Sequence, residues 1–143
     1  MILPDVNVMV YAFRQEAERH EHYATWLSGL VAGDDELALH DHVLAGFVRI
    51  VTNPRIVPTP APTALALEFV GRLRAARRAR WLPTGHAPWG RLHMLVDQDR
   101  GITGNVVPDA HLAAVALTYG CRLATADRGF ARFPGLDWFD PAA

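Results

Sequence analysis

The chain has 143 residues, half of them hydrophobic, and a formal net charge of −1. This length and apolar content predict a single domain over residues 1–143 with its own hydrophobic core. The near-neutral charge excludes the overall basicity of many nucleic-acid-binding proteins, although all fourteen basic residues are arginine and a local basic patch remains open. The single cysteine, Cys121, excludes an intramolecular disulfide, and the N-terminus has neither the basic lead of a signal peptide nor the length of a membrane span. We therefore expect a cytoplasmic protein.

The first half of the chain alternates short apolar runs with segments whose apolar residues recur every three or four positions. Short runs of this kind predict strands, and the longer spacing predicts amphipathic helices. In chain order the predictions are a strand over 1–3, a helix over 6–11, a helix over 16–31, a strand over 37–39 and a helix over 43–51. Asp41 is placed to cap the last of these helices, and Asn53 with Pro54 closes it.

The second half repeats the alternation after a proline-rich connector over 54–62. The predictions are a helix over 65–73, a short strand over 81–83, a helix over 89–96 with Trp89 on its buried side, a flexible loop over 101–105, a helix over 107–119, a strand over 122–126 and an edge strand over 136–139. The helix over 107–119 is apolar nearly all round, which predicts burial between other elements. Gly120 is placed as its stop.

Strands that alternate with helices predict an α/β fold with a mainly parallel sheet and helices on both faces. Such sheets bind ligands beyond the carboxyl ends of their strands. Asp5, Asp41 and Asp127 directly follow predicted strands, and Asp109 stands at the entrance of the apolar helix. All four carboxylates are therefore expected to face one crevice.

Carboxylates that share a partly dry crevice repel one another, so they must take up protons or bind a cation. Mg²⁺ prefers oxygen ligands and is commonly held by one or two carboxylates together with a substrate phosphate. This chemistry suits phosphodiester cleavage by an activated water. Each acid taken alone could instead cap a helix or stabilise a turn, and the joint placement is what favours a metal site.

Four segments of the chain resemble the PIN-domain ribonucleases, and within them the VapC toxins of toxin–antitoxin pairs. The segments are ILPDVNVMVYAF, LAGFVRIVTNPRI, GNVVPDAHLAAVAL and LATADRGFARFPGL. The resemblance covers nearly the whole chain. It implies a three-layer α/β/α PIN-like domain, a Mg²⁺- or Mn²⁺-dependent endoribonuclease that cleaves RNA such as structured transfer or ribosomal RNA, a homodimer, and neutralisation by a small VapB-type antitoxin whose C-terminal tail covers the cleft.

The resemblance also assigns site residues. Asp5 and Asp109 match the family's principal metal ligands, and Asp127 matches the acidic or amide position after the last core strand. Thr125 and Asn7 match polar positions that support the site.

Two positions depart from the family pattern. Gly46 stands where many members have a glutamate, and Gly129 stands where related sequences often carry an acid. We hypothesise that Asp41, about a turn and a half before Gly46, partly supplies the missing charge.

Other polar and aromatic groups support weaker interpretations. Seven histidines include the pairs His20 with His22 and His40 with His42, but neither pair has the helical i,i+4 spacing of a zinc motif. His111, two residues after Asp109, is expected to point away from it and to pack. Two further groups are candidates for RNA contact: Arg77, Arg78 and Arg80 as phosphate ligands, with a solvated surface or a partner contact as the alternative, and Trp81 and Trp89 as stacking rings, with packing favoured for both.

Two other functions stay open at this point. The missing glutamate is compatible with a catalytically silent PIN-like module that binds RNA or protein. An aspartate after the first strand of a parallel sheet is also compatible with a phosphohydrolase of small phosphoesters, although Asn7 stands where the familiar DxD pattern has its second acid.

Overall fold

Five short parallel strands form one sheet in the computed structural model, which describes residues 1–143. The strands are β1 (Ile2–Pro4), β2 (Leu37–Leu39), β3 (Ala79–Trp81), β4 (Arg122–Ala124) and β5 (Trp138–Phe139). Their order across the sheet is β3-β2-β1-β4-β5, and every neighbouring pair is parallel. The register places Pro4 beside Ala124, so the central strands β1 and β4 end level with each other.

Six α-helices connect the strands. They are α1 (Val6–Phe13), α2 (His20–Ala32), α3 (Asp41–Val51), α4 (Thr63–Arg74), α5 (Ala87–Gln98) and α6 (Val107–Tyr119), with 3-10 turns at Gly104–Val106 and Arg128–Arg132. Helix α1 packs on α2 and α3, α3 packs on α4, and α5 packs on α6. Helices α1 to α4 connect β1, β2 and β3, which follow one another toward one edge of the sheet, and α5 and α6 return the chain to β4 on the other side of β1. Because crossovers between parallel strands are right-handed, reversing the direction places α1 to α4 on one face of the sheet and α5 and α6 on the other. The predicted three-layer α/β/α fold is confirmed.

The direction of the chain reverses between β1 and β4. From β1 the connections run outward to β2 and β3, and the chain then crosses back to β4 on the other side of β1. A sheet of this kind opens a crevice at the carboxyl ends of the two strands where the order reverses. The fold therefore places the segments that follow β1 and β4 at its natural ligand-binding position.

Helix α6 forms the centre of the core on its side of the sheet. Ala110, Ala113, Ala114, Val115 and Ala116 are completely buried, as the all-round apolar sequence predicts. Gly120 ends the helix with a φ of +68°, a left-handed conformation that glycine adopts without a steric penalty. No helix of the protein combines the length and the apolar character needed to cross a membrane.

Several element boundaries differ from the sequence predictions. Helix α2 begins at His20 rather than near residue 16, because Arg19 takes a left-handed φ of 60° that interrupts the helix. Strand β3 covers 79–81 instead of 81–83, and β4 ends at Ala124. Asp41 is not the cap of α3: His40 occupies that position, and Asp41 is an exposed residue of the first turn. An acid there still interacts favourably with the helix dipole.

Two side chains expected in the core lie at the surface. Trp89 is 56% exposed and Leu65 is 51% exposed, whereas Leu92 and Leu95 of α5 are buried as predicted. Trp89 lies in the first turn of α5, just after Pro88, which is fully buried. The core at this end of the helix is therefore filled by the proline rather than by the tryptophan.

Candidate metal centre

Asp5 lies at the end of β1 and is the start of α1. Its backbone N–H pairs with Ala124 of β4 at 2.8 Å, which fixes its position at the reversal of strand order. The carboxylate is 8% exposed, and its Oδ1 accepts a hydrogen bond from the Val6 N–H at 2.7 Å. Burial raises the pKa of this carboxyl, and the negative charge of Asp127 adds to that effect. The capping role considered for Asp5 is therefore real, but it leaves the buried acid with an unfavourable charge.

Thr125 connects the segment after β4 to Asp5. Its side chain is completely buried, and its Oγ1 donates a hydrogen bond to Asp5 Oδ2 at 2.7 Å. The same oxygen accepts hydrogen bonds from Asn7 Nδ2 at 3.3 Å and from the Asp127 N–H at 3.1 Å. Asn7 in turn accepts from the Ala126 N–H at 3.2 Å. Both residues predicted to support the site thus hold the ends of β1 and β4 together.

Asp127 follows Thr125 by two residues and begins the 3-10 turn at Arg128–Arg132. Its Oδ1 accepts a hydrogen bond from the Gly129 N–H at 2.8 Å. A Cβ at position 129 would lie 2.9 Å from that oxygen, closer than real side chains approach. Gly129 therefore allows the carboxylate of Asp127 to fold back over the turn, which gives the glycine at this position a local physical reason.

Asp109 lies in the first turn of α6 and differs from the other two acids in its bonding. No protein group donates a hydrogen bond to its carboxylate, and it does not cap the helix. Burial, then the charge of Asp5 and then that of Asp127 together raise its pKa to about 6. The pKa of Asp109 thus depends on the charges of the other two acids, and no hydrogen bond supports the capping explanation for Asp109.

Asp5 and Asp109 line a cavity of about 610 Å³ that opens between α3, α5 and α6. A larger cavity of about 790 Å³ lies elsewhere, near α2 and α4, and contains none of the three acids. No three histidine, cysteine or acidic side chains converge closely enough to form a ready-made metal cage. Oxygen donors that repel one another across a partly buried cleft nevertheless fit a hydrated hard cation, since Mg²⁺ commonly keeps several waters and needs only one or two carboxylates.

Gly46 and Asp41 can be placed relative to this cleft. A Cβ on Gly46 would lie 3.3 Å from Val6 Cγ2, so the glycine permits close packing of α3 against the start of α1. Asp41 acts by charge on His40, whereas it has no part in the raised pKa values of Asp5 and Asp109, which come mainly from burial with the charge of Asp127 added. The hypothesis that Asp41 replaces the missing glutamate therefore gains no support from the structure.

The predicted arginine cluster lies at a different part of the sheet. Arg77 pairs with Asp34 at 2.7 Å, and Arg80 pairs with Glu36 at 2.9 Å. Arg78 also approaches Glu36, at 3.4 Å. These acids precede β2 and the first two arginines precede β3, at the amino ends of the strands. The structure thus places the cluster on acidic neighbours and away from the crevice, and its role in RNA contact remains a prediction.

An aromatic group beside the acids was not anticipated. The rings of His40, His42 and His111 lie 5.5 to 6.3 Å apart between centroids, and Trp89 lies 5.2 Å from His111. The packing role expected for His111 is confirmed by these ring contacts, although His111 lines the same cavity as Asp109. The available sequence signal was the placement of His40 and His42 directly after β2, at the same sheet edge as the acids.

The chain belongs to the PIN-domain family. The sequence model of that family, described as PIN domain, matches residues 2–136. It is 43% identical over 141 residues to a Mycobacterium tuberculosis protein named Ribonuclease VapC43, with 99% of this chain and 95% of the relative covered. A second relative from the same organism, Ribonuclease VapC31, is 35% identical over 144 residues and 99% of both chains.

Solved structures share the fold at lower sequence identity. The VapBC2 complex of Rickettsia felis, bound to a DNA fragment from its promoter, matches with a TM-score of 0.69 at 21% identity over 98% of both chains. VapBC-1 of nontypeable Haemophilus influenzae matches with a TM-score of 0.66 at 18% identity over the full length of both chains. These likenesses support the overall fold described above.

Proposed function

We propose that this protein is a metal-dependent endoribonuclease that acts as the toxin of a toxin–antitoxin pair. The observation that supports it best is the arrangement of Asp5, Asp109 and Asp127. Asp5 and Asp109 line one cavity at the reversal of strand order, and burial together with the charge of Asp127 raises the pKa values of both. Relatives named ribonucleases that cover nearly the whole chain support the substrate class.

We propose Mg²⁺ or Mn²⁺ as the cation, because carboxylate oxygens suit hard cations of this kind. Asp5 and Asp109 would hold it directly, with Asp127 at the rim of the cleft. When bound, the ion would act as a Lewis acid on the phosphoryl oxygen and make the attacking water more acidic. The protein's own contribution is positional: Thr125 and the Val6 N–H hold the Asp5 carboxylate in one orientation, and Asn7 fixes the backbone after β4 against α1.

Asp109 is the carboxylate most available to a cation or to a water near the substrate. It lacks any hydrogen bond within the protein, so its oxygens are free for a cation or for a water that approaches the phosphate. Its pKa of about 6 in the metal-free protein means that a cation, which binds the ionised form, should bind less well as the pH falls through that value. Asp109 therefore combines availability for metal binding with sensitivity to pH.

The partners follow from the same assignment. We propose a VapB-type antitoxin as the neutralising partner and a homodimer as the toxin's own assembly. Structured RNA, such as transfer or ribosomal RNA, is the proposed substrate. The single buried thiol, Cys121, is compatible with the reducing cytosol in which we place the pair.

The experiment is RNA cleavage by the purified protein with Mg²⁺, with Mn²⁺ and with EDTA. We compare the wild type with Asp5→Asn and Asp109→Asn, which remove charge while keeping shape, and use Asp35→Asn as the matched control because Asp35 is exposed and lies before β2. Cleavage that requires the metal and both acids, and that survives in the control, supports the proposal. RNA binding without cleavage would favour the silent PIN-like module, and turnover of a chromogenic phosphoester alone would favour a phosphohydrolase.

A further inference from the structure

Four aromatic side chains form one wall of the cavity that contains Asp5 and Asp109. We call His40, His42, Trp89 and His111 the aromatic wall. Neighbouring rings lie between 5.2 and 5.9 Å apart, the separation at which aromatic groups stack or pack edge to face. They come from the end of β2, the start of α3, the start of α5 and the first turns of α6. The fold thus assembles a continuous aromatic surface from sequence-remote residues.

The aromatic wall is accessible where it faces the cavity mouth. Trp89 is 56% exposed although it is a large apolar ring, and His42 is also exposed. The cavity volume of about 610 Å³ lies within the range of about 300–1,000 Å³ usual for small-molecule pockets. Thr84 and Gly85 border the same space. An exposed aromatic surface in a pocket of this size has room for a flat ring.

His40, which lines the cavity, has an unsatisfied polar atom. Its side chain is only 2% exposed, and its Nδ1 is buried without a hydrogen-bond partner. A buried polar atom without a partner is costly, so a ligand that supplies one gains affinity. Burial lowers the pKa of His40, and the neighbouring His42 and His111 lower it further, so the ring is neutral at pH 7. A neutral imidazole offers a directional hydrogen bond rather than a charge.

The chemistry of the lining decides what the pocket accepts. No arginine lines it, so it lacks the cations that usually hold a phosphate. The three histidines are not arranged as metal ligands. Stacking surfaces combined with a neutral hydrogen-bonding group are instead the means by which proteins hold unstacked nucleobases.

We propose that the aromatic wall binds one unstacked nucleobase of the RNA, next to the phosphate that the carboxylates address. The inference rests on the proposed ribonuclease function and extends it by assigning a base-binding subsite. Trp89 supplies the exposed stacking face, His42 and His111 support it, and His40 contacts a polar edge of the base. A base must leave its stack and its base pair to reach a ring in this cavity, so the subsite would select unpaired positions in a folded RNA.

The test measures binding without cleavage. All proteins carry Asp109→Asn and the buffer contains EDTA, so that no strand is cut. A short unstructured RNA labelled with fluorescein is titrated by anisotropy against this background protein and against versions that add Trp89→Ala, Trp89→Phe or Trp81→Ala. Trp81 is the matched control, because it is 50% exposed and does not line the cavity. A second RNA carries abasic sites in place of bases.

Trp89→Ala is expected to weaken binding of the intact RNA roughly 5- to 150-fold, which is base–aromatic stacking of about 1–3 kcal/mol converted at 1.4 kcal/mol per factor of ten. Trp89→Phe should retain most of the affinity, and Trp81→Ala should leave it unchanged. The abasic RNA should bind the background protein and its Trp89→Ala version equally. Equal effects of Trp89→Ala and Trp81→Ala, or equal losses with intact and abasic RNA, would overturn the inference.

The outcome is separable from that of the proposed function. Base-dependent binding through Trp89 in a protein that cuts no RNA would uphold the subsite and refute the enzyme. RNA cutting by the protein with an intact Asp109, together with indifference to Trp89→Ala in the binding assay, would uphold the enzyme and refute the subsite. A background protein that binds neither RNA would also overturn the subsite.

Discussion

The acidic side chains at the two ends of the sheet differ in whether an arginine pairs with them. At the amino ends of β2 and β3, Asp34 and Glu36 pair with arginines at distances of 2.7 to 3.4 Å, and most of these groups are exposed. At the carboxyl ends of β1 and β4, Asp5, Asp109 and Asp127 have no arginine partner. Burial raises the pKa values of Asp5 and Asp109; the charge of Asp127 adds to both shifts, and that of Asp5 adds to the shift of Asp109. Like charge that is left unbalanced in a cleft indicates a function that outweighs its cost in stability.

The largest expected effect comes from removing charge at the unbalanced end. Asp5→Asn and Asp109→Asn should each lower the rate of RNA cleavage by more than about 100-fold, since residues that merely orient a metal's ligands already cost about 10–100-fold. Cleavage rates at saturating Mn²⁺ would measure it. Retention of near wild-type rates by either variant would remove that acid from the site.

Thr125→Val should have the next largest effect on cleavage. The change keeps the shape of the side chain but removes the hydroxyl that bonds Asp5, Asn7 and the Asp127 N–H. We expect a loss of about 10- to 100-fold in cleavage and of about 1–3 kcal/mol in the free energy of unfolding. Thr125→Ser, which keeps the hydroxyl, serves as the control. Equal behaviour of the valine and serine variants would show that the hydroxyl does not organise the site.

The acid cleft should make the metal-free protein less stable as the pH rises. The folded pKa of Asp109 is raised from 3.8 to about 6, so the folded state favours the protonated form. Its stabilising contribution is complete below the unfolded pKa and is lost as pH rises through the folded pKa. In EDTA, the free energy of unfolding of the wild type should therefore fall relative to that of Asp109→Asn between about pH 4 and pH 6. Denaturant unfolding across this range would measure it, and parallel curves would contradict the assigned repulsion.

Removing charge at the amino ends of the strands, where the acids are paired with arginines, should have the smallest effect on stability and cleavage. Asp34→Asn breaks the exposed pair with Arg77, and exposed ion pairs are worth about 0–1 kcal/mol. We expect a change in the free energy of unfolding within that range and no change in metal-dependent cleavage. Thermal melts and cleavage assays of this variant provide the comparison with Asp109→Asn. A loss of cleavage similar to that of Asp109→Asn would mean that the two ends do not differ as described.

Local sequence patterns predicted that Asp5 and Asp109 share one crevice, but the expectation that Asp41 and Asp127 also line it is not met, since neither borders the cavity. Asp5 follows a strand, Asp127 closely follows another, and the apolar sequence after Asp109 correctly predicted a buried helix. Parallel strands bring such positions to one edge wherever the chain places them. Three of the predicted site residues, Asp5, Asn7 and Thr125, are directly joined by hydrogen bonds.

The aromatic wall could not be predicted in the same way, because it depends on how α3, α5 and α6 are rotated against one another. The helical spacing assigned Trp89 to the core, but the buried Pro88 takes that place and leaves the tryptophan at the cavity mouth. The cap of α3 was also misplaced by one residue, since His40 has the extended backbone that precedes the helix. The rotation of a helix about its axis and the exact residue at which it begins depend on tertiary packing, and the spacing of apolar residues in the sequence determines neither.

The central claim is that the unbalanced acids form a cation site, and metal binding tests it without reference to catalysis. Mn²⁺ is titrated into metal-free protein at pH 7.5 and followed by calorimetry, for the wild type, Asp109→Asn and Asp34→Asn. The account predicts saturable binding to the wild type and to Asp34→Asn, and a loss of more than about tenfold in affinity for Asp109→Asn, or about 1.4 kcal/mol. Equal Mn²⁺ affinity in all three proteins would contradict it.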